Sequence, residues 1–310
     1  MEILDNNTDL SGIQNCVMTI GNFDGIHIGH SKIIDLANEL AANQGSKSLL
    51  VTFNPHPIEV LNGKCDNYII TDFEKKMSLL AEAGLDFAYV VNFDDNFANI
   101  EADNFVKDFI YRKFNPSDII VGYDHFFGKD RKGSFDLLKK YKETFSYELH
   151  RFAKIRLNNI DVKSSMIRRL IKEGKVKDAS KLLGRPFSIN GRVVKGKGRG
   201  TKLLAPTANI QIENLAQLIP KNGVYHADLF IKKDNTAYDS VCNIGIRPTF
   251  NDGNHDISIE AHILSEGEFD IYGYDVELIF KNYIREEIKF NGEKELINQI
   301  NLDKEYCINN

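Results

Sequence analysis

The residues best equipped for chemistry near the start of the chain lie in Gly21-Asn22-Phe23-Asp24-Gly25-Ile26-His27-Ile28-Gly29-His30. The apolar run 16–20 before them reads as a short buried strand, and the apolar positions of 33–40 recur at helical spacing. Two histidines therefore sit where a strand passes into a helix. Glycines at 21, 25 and 29 allow a sharp turn and close approach to a ligand, and the helix that follows offers its first N–H groups to an anion. His27 and His30, one Ile-Gly pair apart, could both stabilise charge developing on a transferring phosphate. A glycine-rich turn with surface histidines is the other reading these residue types allow.

Three further stretches carry chemistry. Lys163-Ser164-Ser165-Met166-Ile167-Arg168 opens a helix running to Gly174, with a serine as its cap. The basic, glycine-rich 195–202 suits a phosphate cradle. It is short for a nucleic-acid patch in a chain of net charge −5. Glu260 stands among Ile257, Ile259 and Ile263, where a carboxylate is costly unless paired or employed. A salt bridge at a strand edge is its plain alternative.

The elements that must position these groups change character along the chain. In the first half, apolar strands over 16–20, 48–53, 87–93 and 118–121 alternate with helices over 33–40, 72–83 and 102–114, which implies a parallel sheet. The prolines of Asn54-Pro55-His56-Pro57 are expected to stop any strand or helix there. Ligands of such sheets bind beyond the carboxyl ends of the strands, which gathers 21–30, 54–57 and 122–128 at one edge. A helix over 176–183 ends at Gly184, and Arg185-Pro186 breaks it. Period-two strands follow over 187–194, 223–231, 237–244, 257–264 and 274–280, closed by a helix from Glu293. The expected domains are 1–185 and 186–310, in keeping with 310 residues and two cores.

Composition narrows the class. There is no overall basic excess to hold nucleic acid, no stretch long enough to span a bilayer, and an acidic, polar opening unlike a signal peptide, so a cytoplasmic protein is expected. Cys16, Cys65, Cys242 and Cys307 show no metal-binding or disulfide spacing.

The ten residues from Gly21 to His30 resemble the signature of the bacterial FAD synthetases, the bifunctional riboflavin kinase and FMN adenylyltransferase family. Phe53-Asn54-Pro55-His56-Pro57 is similar to a substrate loop of that family, and Gly122 to Gly133 to its Gly-x-Asp-Phe-x-Phe-Gly-x-x-Arg-x-Gly loop, with His125 in place of the usual Phe. The segment 163–168 resembles the Ser-Ser-Thr-x-Ile-Arg grip on ATP phosphates. Pro206-Thr207-Ala208-Asn209, Glu260-Ala261-His262 and Tyr283-Ile284-Arg285-Glu286-Glu287 match the riboflavin kinase half. The resemblance implies a Rossmann-like nucleotidylyltransferase domain followed by a riboflavin-kinase-like β-barrel with a terminal helix. In the first, His27 and His30 would be catalytic, and Gly21, Asn22, Phe23, Asp24, His56, Asp124, Arg131, Ser164, Ser165 and Arg168 would bind nucleotide and flavin. In the second, Glu260 would be the base. Gly191, Lys197, Gly198, Gly200, Thr207, Asn209, Arg285 and Glu287 would bind ligands there, with Thr207 and Asn209 on Mg²⁺. Riboflavin, FMN and ATP are the implied substrates, FMN and FAD the products, with neither nucleic acid nor membrane as partner. Leu203-Leu204-Ala205 departs from the Leu-Gly-Phe or Leu-Gly-Ile of the family, which leaves open a chain with only one working half. A flavin- or nucleotide-binding regulator without turnover is the rival from another class.

Overall fold

The apolar runs of the first half assemble into a sheet buried on both faces. The computed structural model describes residues 1–63, 65–195, 207–247, 256–265 and 269–309. Its strands β1 (Glu2–Leu4), β2 (Val17–Ile20), β3 (Ser48–Asn54), β4 (Phe87–Asn92), β5 (Asp118–Gly122) and β6 (Glu148–Phe152) lie in the order β1-β4-β3-β2-β5-β6. Every neighbouring pair is parallel. Alternate residues serve the two faces. Met18, Leu49, Val51, Tyr89 and Ile119 enter one core, and Val17, Leu50, Ala88 and Ile120 the other. Such strands read as continuous apolar runs because neither face meets water.

The helices α1 (Ile28–Gln44) and α3 (Phe73–Glu82) supply the second core through Ile33, Ile34, Ala37, Ala41, Met77 and Leu80. Between them lies α2 (Pro57–Leu61), one turn and a half where the prolines were expected to forbid a helix. Pro57 stands at the helix start, where a missing N–H costs nothing, and His56 caps it. The region 95–114 breaks into α4 (Asp95–Ala98), α5 (Ala102–Asn104) and α6 (Arg112–Phe114), with π-helical turns Phe105–Tyr111 between the last two. The helix α7 (Phe135–Phe145) and a two-stranded ribbon, β7 (Arg156–Leu157) with β8 (Ile160–Asp161), complete this part.

From β2 the chain moves outward through β3 to β4, then returns to lay β5 on the other side of β2. The strand order therefore reverses between β2 and β5, and their carboxyl ends flank the crevice where such sheets bind ligands.

The second half forms a closed antiparallel barrel. Strands β9 (Phe187–Val194), β10 (Thr207–Gln211), β11 (Gly223–Ile231), β12 (Thr236–Arg247), β13 (Asp256–Ile263) and β14 (Asp275–Arg285) run in the order β10-β13-β12-β11-β14-β9, and β9 pairs β10 to close it. Phe187, Ile189, Tyr225, Leu229, Ile244, Ile259, Leu278 and Phe280 fill the interior. At the closure, a Cβ on Gly191 would stand 2.6 Å from Ile210 Cγ2 and 2.8 Å from the Gln211 carbonyl, so packing accounts for that glycine.

Two further helices, α8 (Ser164–Lys172) and α9 (Val176–Leu183), precede the barrel, and α10 (Glu293–Asn309) ends the chain. By contacts the chain divides into Met1–Cys65 with Phe73–Ser164, and Asp66–Asp72 with Ser165–Asn310. The division thus falls about twenty residues before Arg185, because α9 turns Val176, Ala179, Leu182 and Leu183 inward and packs on β9 and β14. Asp66–Asp72 joins the barrel unit through local bonds. The Tyr68 N–H donates to the Ala216 carbonyl at 2.8 Å, the Leu218 N–H to the Ile69 carbonyl at 2.7 Å, and Arg185 to Thr71 Oγ1 at 3.2 Å.

Candidate active sites

The turn between β2 and α1 gathers the first constellation. Of its three glycines only Gly25 takes a left-handed φ, 91°, and the two non-glycine residues Phe23 and Ile26 join it at 48° and 36°. Backbone held in such conformations concentrates at functional sites. The His27 ring caps α1, its Nδ1 accepting the His30 N–H at 3.2 Å. The accepting nitrogen must be bare, so the ring's proton is on Nε2. His30, one turn on, stacks against it with centroids 3.6 Å apart and planes 14° from parallel. Gly29 makes this possible, since a Cβ there would press on the His27 ring at 3.0 Å. Phe23 backs His30 at 4.8 Å. Asn22 is exposed, and Asp24 and His27 are buried. Ser164 Oγ donates to the Asp24 carbonyl at 2.9 Å, which brings the start of the serine motif to this turn. Ser165 and Arg168 belong to the other unit, where the Arg168 guanidinium lies 3.8 Å over the Tyr68 ring and donates to its carbonyl at 2.9 Å.

The remaining loops of the first unit behave unevenly. His56 serves as a helix cap, its Nδ1 accepting from the Ile58 N–H at 3.2 Å while Glu59 takes the His56 N–H at 2.9 Å. In the loop after β5, Phe127 is core, stacked on Phe105 at 5.0 Å, whereas Phe126 is half exposed with the Arg131 guanidinium 5.2 Å above its ring. Asp124 is exposed. Burial lowers the His125 imidazole to about 4, with Arg131 pushing the same way, so the ring is neutral at physiological pH. Sequence reasoning missed Thr52 and Lys76, which lie directly behind the turn. Thr52 Oγ1 donates to the Asn22 carbonyl at 3.2 Å, and Lys76 Nζ donates to Thr52 Oγ1 at 3.1 Å. A second lysine in a charged helix carries no signal of burial.

The second constellation lies on the outer face of the barrel. Along β13, Ile259, Ala261 and Ile263 point into the barrel and Ser258, Glu260 and His262 point out. The apolar neighbours therefore do not bury Glu260, and its half-burial comes from what lies beside it on that face. Asn209 of β10 and Asn243 of β12 stand opposite it on the flanking strands, and Ser258 Oγ donates to its Oε1 at 3.2 Å. Two residues along, Thr207 Oγ1 is bonded to His262 Nδ1 at 3.0 Å. Burial lowers His262, and Lys304 of α10 adds to that against the pull of Glu260. Asn243 Nδ2 reaches Glu287 Oε1 at 3.5 Å, which joins the chain after β14 to the same row. Thr207, Asn209, Glu260 and Glu287 are thus brought together.

Arg285 is not drawn into that row. Its Nε and Nη2 fork onto Asp303 of α10 at 2.9 and 2.6 Å, and Gln299 donates to the same carboxylate at 3.0 Å. It ties the terminal helix to the barrel, over a small core of Val224, Val241 and Cys307. Lys197, Gly198, Gly200, Leu204 and Ala205 lie outside the described residues.

Stacked histidines at the switch point of a parallel sheet, and a polar row with an acid on a closed barrel, fit a two-site enzyme of phosphorus chemistry. The comparisons with known proteins agree. The family description FAD synthetase matches residues 10–166 and riboflavin kinase matches 183–309. A bifunctional riboflavin kinase/FMN adenylyltransferase of Bacillus subtilis is 34% identical over 299 residues, 94% of this chain and 91% of its own length. Those of Buchnera aphidicola from Schizaphis graminum and of Escherichia coli K12 are 32% and 31% identical, each over 94% of this chain. A solved Streptococcus pneumoniae structure described as a macrolide-efflux protein superposes with a TM-score of 0.88 at 29% identity, covering 99% of both chains. Among the described residues no helix is long and apolar enough to cross a membrane. The chain belongs to the bifunctional riboflavin kinase/FMN adenylyltransferase family and carries both of its enzyme domains.

Proposed function

We propose that the two activities are divided between the two constellations. FMN is adenylylated at the Gly21–His30 turn, and riboflavin is phosphorylated at the outer row of the barrel. The observation that carries this division is that each unit holds polar groups of its own: the stacked His27 and His30 in one, and Glu260 between Asn209 and Asn243 in the other.

In the first reaction a phosphate oxygen of FMN attacks the α-phosphorus of ATP, the bond to the β-phosphate oxygen breaks, and pyrophosphate leaves. The Nε2–H of His27, the ring of His30 and the amide groups opening α1 would meet the charge that builds on the transferred group. In the second, the riboflavin 5′-hydroxyl gives its proton to Glu260 and attacks the γ-phosphorus, and ADP departs. Asn209 and Asn243 stand on the strands either side of that carboxylate, and Ser258 Oγ donates to it. Both are in-line displacements in which positioning and charge supply most of the rate.

Thr207 and Asn209 present hard oxygen donors on the same face of β10, a donor set that suits Mg²⁺. The ion would offset phosphate charge, and the nucleotide would complete its ligands. His262, on Thr207, fixes which way that hydroxyl turns. We assign the enzyme to the cytoplasm, a reading supported by cysteines that are all free thiols.

Crossed lesions test the division. His30→Ala is expected to cost about 10²-fold or more in FAD formation from supplied FMN while the kinase persists, so that FMN accumulates. Glu260→Gln is expected to cost about 10²–10⁴-fold in riboflavin phosphorylation while supplied FMN still becomes FAD. Loss of both activities in a folded His30→Ala protein, or a kinase spared by Glu260→Gln, would refute it.

A further inference from the structure

Lys76 has no part in the chemistry assigned above, yet it is among the most buried charged groups of the first unit, 5% exposed on α3. A buried ammonium is costly unless its charge is answered. The answering carboxylate is Asp24, itself 4% exposed in the turn between β2 and α1. From β3 the cation meets only neutral acceptors, Thr52 Oγ1 at 3.1 Å and the Phe53 carbonyl at 3.3 Å. Its own helix contributes the Phe73 ring at 5.6 Å.

The contacts form a chain that ends at the catalytic turn. Lys76 donates to Thr52, and Thr52 donates to the Asn22 carbonyl at 3.2 Å. Bonds in series polarise one another, so the cation strengthens the Thr52–Asn22 link. That link holds the residue next to Phe23, whose φ of 48° persists only where the surroundings over-determine it.

We propose that Lys76 is a positioning residue for adenylyl transfer. Its ammonium, through Thr52, clamps the Asn22–Asp24 segment to the end of β3, and it offsets the Asp24 charge so that the turn can receive a polyphosphate. The proposal rests on the assignment of adenylyl transfer to this turn. Burial pushes the ammonium down to about 8 against the pull of Asp24, so the clamp loses its proton within the range of an ordinary assay.

The test is kcat/KM for FAD formation from FMN and ATP, measured on the full chain across pH, since that ratio follows the free enzyme. The wild type is expected to fall above about pH 8, with Lys76 protonated below and neutral above. Lys76→Met should lose about 10²-fold and also lose this alkaline limb, while riboflavin phosphorylation is unchanged and reports a folded chain. Thr52→Val keeps the cation but cuts its link to Asn22. It should lower FAD formation about tenfold with the limb intact. A Lys76→Met enzyme with wild-type rate and pH profile overturns the proposal. If Lys76→Met does not fold, Thr52→Val decides, and unchanged FAD formation in it overturns the clamp. His30→Ala, run beside them, separates the two failures. If it spares FAD formation the site assignment falls, and if it abolishes FAD formation while Lys76→Met and Thr52→Val do not, only the role of Lys76 falls.

Discussion

Gly245→Ala would move one carboxylate without touching its charge. Gly245 lies on β12 opposite Ser258, and a Cβ built there stands 2.2 Å from Glu287 Oε1, 3.0 Å from its Cδ and 3.2 Å from Oε2. Ordinary non-bonded separation is about 3.5 Å, so the carboxylate must retreat by about 1 Å. Its contact with Asn243 Nδ2, already 3.5 Å, is then lost. The group that yields is the end of a flexible side chain, so the fold gives little. Alanine also restricts the unfolded chain, worth about 0.4–1 kcal/mol of stability at a compatible backbone position. Melting should therefore be unchanged or slightly raised. Misplacing a substrate-contacting group by 1 Å can cost about 10²-fold, or about 2.7 kcal/mol in barrier height. If Glu287 meets the flavin at the kinase site, kcat/KM for riboflavin phosphorylation should drop by that factor, with FMN adenylylation as the internal control. Glu287→Gln should follow it. A Gly245→Ala protein with wild-type kinase activity would show that Glu287 has no such contact.

Two further outcomes are expected. Asp303 is 3% exposed and Arg285 mostly covered, so Asp303→Ala strands a buried guanidinium and should cost about 3–5 kcal/mol, read as a lower melting temperature with α10 exchanging its amide protons first; a change under about 1 kcal/mol would mean the pair is solvated. Residues 186–310 alone are expected to phosphorylate riboflavin, and 165–310 should melt higher, since α9 buries Val176, Leu182 and Leu183, each worth about 1.5–3 kcal/mol; equal melting of the two fragments would deny that α9 belongs to the barrel.

The sequence by itself determined the two architectures. Apolar strands without alternation can only be buried on both faces, and those of 48–53 and 118–121 became central strands of a parallel sheet. Period two after residue 186 became a barrel, because a strand with one wet face must turn its other face inward. The strands β1 and β6 escaped notice because edge strands bury too few residues to leave a pattern.

Only the tertiary structure decided which charges answer which. Lys76 looks like a solvent-facing lysine until α3 is laid across the end of β3, and nothing in the sequence pairs Arg285 with Asp303 until α10 brings that carboxylate to it. Glu260 owes its place to an outward turn of β13 and to asparagines on two neighbouring strands, distant in sequence and joined by register alone. Asp66–Asp72 pairs with residues some 150 positions later mainly through backbone groups, which every sequence offers alike. Periodicity records whether a side chain meets water or core. It carries no record of which distant strand or helix comes to lie beside it, because that is fixed by the packing of the whole chain.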